Sequence, residues 1–228
     1  MWDDLTEPGP AQGGVGDTQP QTRAQTRAQT RAQTEAHLRA FRAHWEACRR
    51  GGDVPMRADI DPRGIAPLIS GAFIAERIAP GVARLRVAGM ALNDVMGMEV
   101  RGMPLTTFIE PGDRDAFAMN VVDLFDGPAI LRLSLRSRRG IGRPALDATL
   151  MMLPLRSDLG DISRTLGCLV TDGPIGRAPR RFAIAEAETL LLRGAAPRPA
   201  APPLRPLAGG RSQAPAGRRE RSHLRLVT

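Results

Sequence analysis

The chain has 228 residues, 42% of them hydrophobic, and contains neither lysine nor tyrosine. That length allows one medium-sized domain with flanking segments, or two very small ones, and the lack of lysine excludes a Gly-x-x-x-x-Gly-Lys-Ser/Thr phosphate loop. The net charge of +8 is concentrated at the end of the chain, where Arg193, Arg198, Arg205, Arg211, Arg218, Arg219, Arg221 and Arg225 face only Glu220, whereas the first 36 residues are net acidic.

Residues 1–33 are rich in Gly, Pro, Gln and Thr and contain the repeated unit Gln-Thr-Arg-Ala. A four-residue period makes no lasting apolar stripe on a helix, so this segment is expected to be disordered and of low complexity. From Thr34 to Arg50 the spacing becomes helical. Leu38, Phe41, Trp45 and Cys48 share one face, and Gly51-Gly52 supplies the stop. Asp61 is placed to cap a second short helix that starts at Pro62. Strands are predicted over 72–78 and 82–88, joined at Pro80-Gly81 as an antiparallel hairpin. In the second strand Ala83, Leu85 and Val87 alternate with Arg84 and Arg86. Gly89 ends it, a brief helix runs to Gly97, and another turn spans Leu105 to Ile109. Asp113 is the expected cap of a longer helix whose stripe is Phe117, Val121 and Leu124. Three strands follow: in the first Leu131, Leu133 and Leu135 alternate with Arg132, Ser134 and Arg136, and the others run over 145–155 and 165–171. The region 174–192 reads as a linker and a last short helix with Ile184, Ala187, Leu190 and Leu191 on one face. Beyond Arg193 the Arg/Pro-rich composition favours a disordered basic tail.

Helix, two strands, three short helices and three strands is an order that resembles the PAS domain family, in particular the small bacterial PAS-like proteins. The resemblance rests on Trp45, Asp61-Pro62, Arg84 to Gly89, Gly97, Arg101-Gly102 and Glu110-Pro-Gly-Asp-Arg114, and covers about His37 to Thr171. It implies an α+β fold, a five-stranded antiparallel sheet with helices packed on one face, within a domain over residues 34–173 that includes the leading helix. It also implies a sensory or regulatory role. A ligand, if one is bound, would be small and apolar and would sit among Leu85, Val87, Met96, Phe117, Val121, Leu133 and Met152. The leading helix offers Leu38, Phe41 and Trp45 either to its own sheet or to a protein partner, a second copy included.

The resemblance names no cofactor. A haem-binding member would need an axial ligand on the long helix, and residues 113–125 contain no histidine or cysteine, only Met119. A light-oxygen-voltage photoreceptor would carry Asn-Cys-Arg-Phe before that helix, where this chain reads Phe108-Ile-Glu-Pro-Gly-Asp-Arg114. Asp147 and Glu76 are lone carboxylates without a visible catalytic partner, so no enzymatic activity is expected. Cys48 and Cys168 give neither a disulfide framework nor a zinc spacing. They fit a reduced cytoplasmic setting, as does an acidic start where a secretory signal would be basic and then apolar. No contact with a membrane is expected. The function expected is therefore a non-catalytic regulatory module that binds a small ligand or a protein and signals through its flanking helix. The alternative is a nucleic-acid-associated accessory protein acting through the basic tail.

Overall fold

A computed structural model describes residues 20–192. The expected disorder of residues 1–19 and the basic tail after 192 lie outside the described residues. Six strands form one antiparallel sheet in the order β2-β1-β5-β4-β3-β6: β1 Ala72–Ala79, β2 Val82–Ala88, β3 Ala129–Ser137, β4 Leu146–Arg156, β5 Ile162–Asp172 and β6 Ala183–Leu191. Helices α1 Pro20–Ala47, α2 Met90–Met96 and α3 Arg114–Asp126 complete the fold, with short 3₁₀ segments that include Pro62–Leu68 and Leu105–Phe108.

Two differences from the expected architecture stand out. The helix expected near the end is strand β6, which pairs with β3 from Ala129↔Leu191 to Arg136↔Ala183. Its Ala, Glu and Leu residues favour helix locally, but the exposed edge of β3 offers a full ladder of backbone partners, and tertiary pairing overrides so weak a preference. The second difference is the start of α1 at Pro20, inside the stretch expected to be disordered. The Gln-Thr-Arg-Ala units continue the helix that the apolar stripe begins.

The sheet carries an apolar cluster on each face, and helices cover both clusters. On the inner face α2, α3 and Leu105–Phe108 enclose a core that includes Phe73, Leu85, Met96, Phe117, Leu133 and Met152. On the outer face α1 and Pro62–Leu68 enclose a second cluster of Leu38, Phe41, Trp45, Leu68, Met151, Leu153 and Cys168. Strand β4 serves both: Leu150 and Met152 point inward, Met151 and Leu153 outward, as the two-residue side-chain period requires. Pro154 stands beyond the last β3–β4 pair, Leu131↔Met152, where a missing amide hydrogen is tolerated.

Several caps position the inner layer. Gly97 adopts φ 68° and ends α2, its amide donating to Asn93 O at 2.6 Å. Asp61 caps its 3₁₀ segment, accepting from Arg63 N at 2.9 Å. Asp113 occupies the cap position of α3, yet its carboxylate instead accepts from Ile184 N of β6, at 2.9 Å. Residues 173–182 run back from β5 across the inner layer. There Arg180 N donates to Val95 O (2.8 Å), Phe182 N to Phe108 O (2.8 Å) and Glu110 N to Phe182 O (2.9 Å).

Cys168 is fully buried in the outer cluster, and burial pushes its thiol up to about 12. Cys48 is half-buried; burial, with Asp59 nearby, also raises its pKa. At pH 8 a disulfide-exchange reagent should therefore label one thiol slowly in the folded chain and both after denaturation. Because the folded pKa of Cys168 lies above the ordinary value of 9.0, the unfolded state gives up its proton first as pH rises. Stability should fall between pH 9 and about 12, by at most about 1.4 kcal/mol per pH unit from this group. Chemical denaturation across that range should show a shallower decline in Cys168→Ala.

Candidate functional site

Of the seven residues expected to line a pocket, the fold brings six together. Leu85, Met96, Phe117, Val121, Leu133 and Met152 all lie in the inner core, between 0% and 4% exposed. They meet because alternate residues of β2, β3 and β4 point inward and because the i, i+4 pair Phe117 and Val121 faces the sheet from α3. The seventh, Val87, does not join them and is 52% exposed. The register between β1 and β2 slips by one residue, from Ile74↔Val87 to Ala75↔Leu85, so Arg86 is an extra residue and Val87 turns to the outer face. The alternation visible in the sequence continues in the chain but not in the sheet. Met119, the one thioether of the long helix, is 64% exposed and directed away from the core.

For the three interface candidates the chain's own sheet is the surface that covers them. Leu38, Phe41 and Trp45 are 1%, 1% and 0% exposed, buried against the chain's own sheet rather than presented to a partner. Trp45 Nε1 donates to Pro154 O at 2.9 Å, and the Arg49 guanidinium lies 5.4 Å from the centroid of the Trp45 ring. Further toward its N-terminus α1 becomes ionic. Arg31 pairs with Asp172 at 3.1 Å and with Asp147 at 3.6 Å, and Glu35 pairs with Arg132 of β3. These residues border an open cleft of about 420 Å³ between α1 and the outer surface of β3, β4 and β5. Each such pair is partly exposed and contributes about 0–1 kcal/mol; their value is positional, since they set where the helix lies along the sheet.

The two carboxylates weighed for catalysis are both engaged by arginines. Glu76 meets Arg86 at 2.6 Å and Arg164 at 3.9 Å, and Asp147 meets Arg136 at 3.0 Å. Among the described residues no group of three or more His, Cys, Asp or Glu side chains is arranged to hold a metal ion.

Sequence reasoning missed a second cleft, of about 390 Å³, at the end of the sheet where the β3–β4 connection meets residues 175–181. Arg138, Arg139, Arg143, Arg180 and Arg181 line it, with Glu110, Pro111 and Pro179. The signal available was two arginine doublets, Arg138-Arg139 and Arg180-Arg181, each beside turn-forming Gly or Pro. The overall charge count, dominated by the tail, hid them.

A twisted antiparallel sheet with short helices across its inner face and a leading helix on its outer face defines the class of the molecule. The family model described as PAS domain matches residues 33–170. The chain belongs to the PAS domain family, a class of sensory and regulatory modules. No curated protein matches it. Among solved structures, it is similar to one titled "Structure of an RNA-binding Light-Oxygen-Voltage Receptor", at 20% identity and a TM-score of 0.34. The match covers 51% of this chain and 35% of that one, so the chain spans about a third of that receptor's length. No described helix is long and apolar enough to cross a membrane.

If Trp45 seals α1 to the sheet, Trp45→Ala should lower unfolding stability by about 3–5 kcal/mol, the range for removing a fully buried aromatic. Trp45→Phe should lose less, because it keeps a ring and forfeits mainly the bond to Pro154 O. Urea denaturation measures both. A Trp45→Ala change below about 1 kcal/mol would show that the helix is not held there.

Proposed function

We propose that the chain is a non-catalytic regulatory module that takes up a small ligand or a protein partner and passes that event to α1. The reading is supported chiefly by the way one sheet separates the two apolar clusters, with β4 contributing alternate residues to each. A displacement of the inner helices presses on Leu150 and Met152. Their neighbours Met151 and Leu153 carry it to the surface on which Phe41 and Trp45 rest. Close-packed interiors transmit such shifts because they have little free volume to absorb them. A bound ligand or partner moves α1 only to the extent that it binds one arrangement of the helix better than another.

The arrangement of the carboxylates supports a non-catalytic role. Glu76 and Asp147 sit beside arginines on the sheet surface, and Asp147 shares Arg31 with Asp172, its cross-strand neighbour, so each carboxylate is engaged in an ion pair. Membership of a family of interaction modules supports a partner that is a protein or a small molecule.

The test is native mass spectrometry of the full chain purified from its own host, followed by hydrogen exchange on the occupied and stripped forms. A bound small molecule or co-purified protein is expected, together with altered protection of the α1 amides over residues 34–47. An occupied chain whose α1 exchange is unchanged would remove the helix from the mechanism. A chain that carries neither ligand nor companion would remove the binding role.

A further inference from the structure

We propose that the arginine-lined cleft between the β3–β4 connection and residues 175–181 is a binding site for a small anion bearing two or three linked phosphate groups. Arg180 anchors the site. It is 1% exposed, yet no carboxylate pairs with it among the described residues. Its guanidinium donates to neutral acceptors: to Ser137 Oγ from Nε (3.2 Å) and Nη2 (3.1 Å), to Pro144 O from Nη2 (2.6 Å), and to Ile175 O from Nη1. These bonds clamp the two loops together and leave a full positive charge at the floor of the cleft. Burial, with Arg143 nearby, makes that charge costly to hold.

The two loops are also joined through their backbones. Arg177 N donates to Gly142 O at 2.8 Å, and Arg143 Nε to Arg177 O at 3.2 Å. Gly176 has φ 64°, and a Cβ there would stand 2.5 Å from Pro144 Cδ, so only glycine permits the approach. On this frame Arg138, Arg139 and Arg181 are exposed at the rim. Several arginines elsewhere are neutralised, Arg77 by Asp126, Arg86 by Glu76 and Arg156 by Asp53. Around this cleft no arginine forms an ion pair among the described residues. Glu110 is the one acid in the lining.

Five guanidiniums and one carboxylate call for a ligand of several negative charges, and a monocarboxylate would leave most of the repulsion in place. Guanidinium forks match phosphate oxygens two at a time. A continuous nucleic-acid backbone fits less well. The cleft is bounded by Pro111 and Pro179, Glu110 would repel a phosphate passing it, and its lining holds no aromatic side chain for a base to stack on. The site is independent of how, or whether, α1 carries a signal.

Inorganic tripolyphosphate is the probe, titrated into the full chain by calorimetry with amide chemical shifts recorded in parallel. The expected result is saturable one-site binding, with shifts at Gly140, Gly142 and Gly176. Affinity should fall at least tenfold in Arg139→Gln/Arg181→Gln, whose two side chains are exposed and whose loss should leave the fold intact. The control Arg84→Gln/Arg101→Gln makes the same change in net charge on other exposed arginines and should bind within twofold of the parent. Four results would each overturn the proposal: no binding, equal losses in both double variants, shifts confined to residues 193–228, or tighter binding of a single-stranded oligonucleotide that is equally sensitive to Arg139→Gln/Arg181→Gln.

Discussion

A sheet that carries an apolar cluster on each face cannot leave either cluster in water, and most of this molecule follows from that constraint. The inner face is closed by the short helices between β2 and β3. The outer face would leave Met151, Leu153, Leu155 and Cys168 wet if nothing lay across it. Helix α1 closes it, with Trp45 at the centre of the contact and its ring nitrogen satisfied by a carbonyl of β4. Burying an indole without that partner would leave a polar group unpaired in a dry interior. The leading helix is therefore an integral layer of the fold, and its aromatic residues are unavailable for other uses while it is docked.

Charge is arranged with the same economy. Every basic side chain is an arginine, so cations reach their partners through planar, directional forks. Arg132 and Arg31 fix the ionic half of α1 over the sheet, and Arg156 ties residue 53 to the end of β4. The arginines of the β3–β4 connection and of residues 177–181 follow another pattern: they gather around a side chain that holds two loops shut, with Glu110 as the one acid in the lining. The gathering of five arginines around one carboxylate gives the second cleft its chemical character.

Much of this was legible in the sequence. The β1–β2 hairpin, the stop at Gly97, the cap at Asp61 and the stripe of Phe117, Val121 and Leu124 follow from local periodicity and turn chemistry. The failures share a cause. Val87 follows the two-residue alternation but lies beyond a bulge that no local pattern announces. Residues 183–191 have the composition of a helix and become a strand because β3 has a free edge. Leu38, Phe41 and Trp45 form a clear apolar stripe, and periodicity left open whether the chain's own sheet or a partner covers it; the sheet does. The arginine cleft needs two loops, some forty residues apart in the chain, to be seen side by side. Apart from the early start of α1 at Pro20, each of these points concerns which distant segment a local feature meets.

The return of the chain over residues 173–182 bears on where the domain ends. The family match stops at residue 170, but the hydrogen-bonded sheet and its inner layer do not. Backbone bonds at Val95, Phe108 and Glu110 are all made to residues 180 and 182, and β3 is flanked by β6 along its length. A fragment excised at the family boundary would keep five strands and the inner helices, yet it would present a long, bare β3 edge to other chains and release the fastening that holds α2 in place. The smallest piece that can behave as this domain extends to Leu192, whose amide closes on Pro128 O at 2.8 Å.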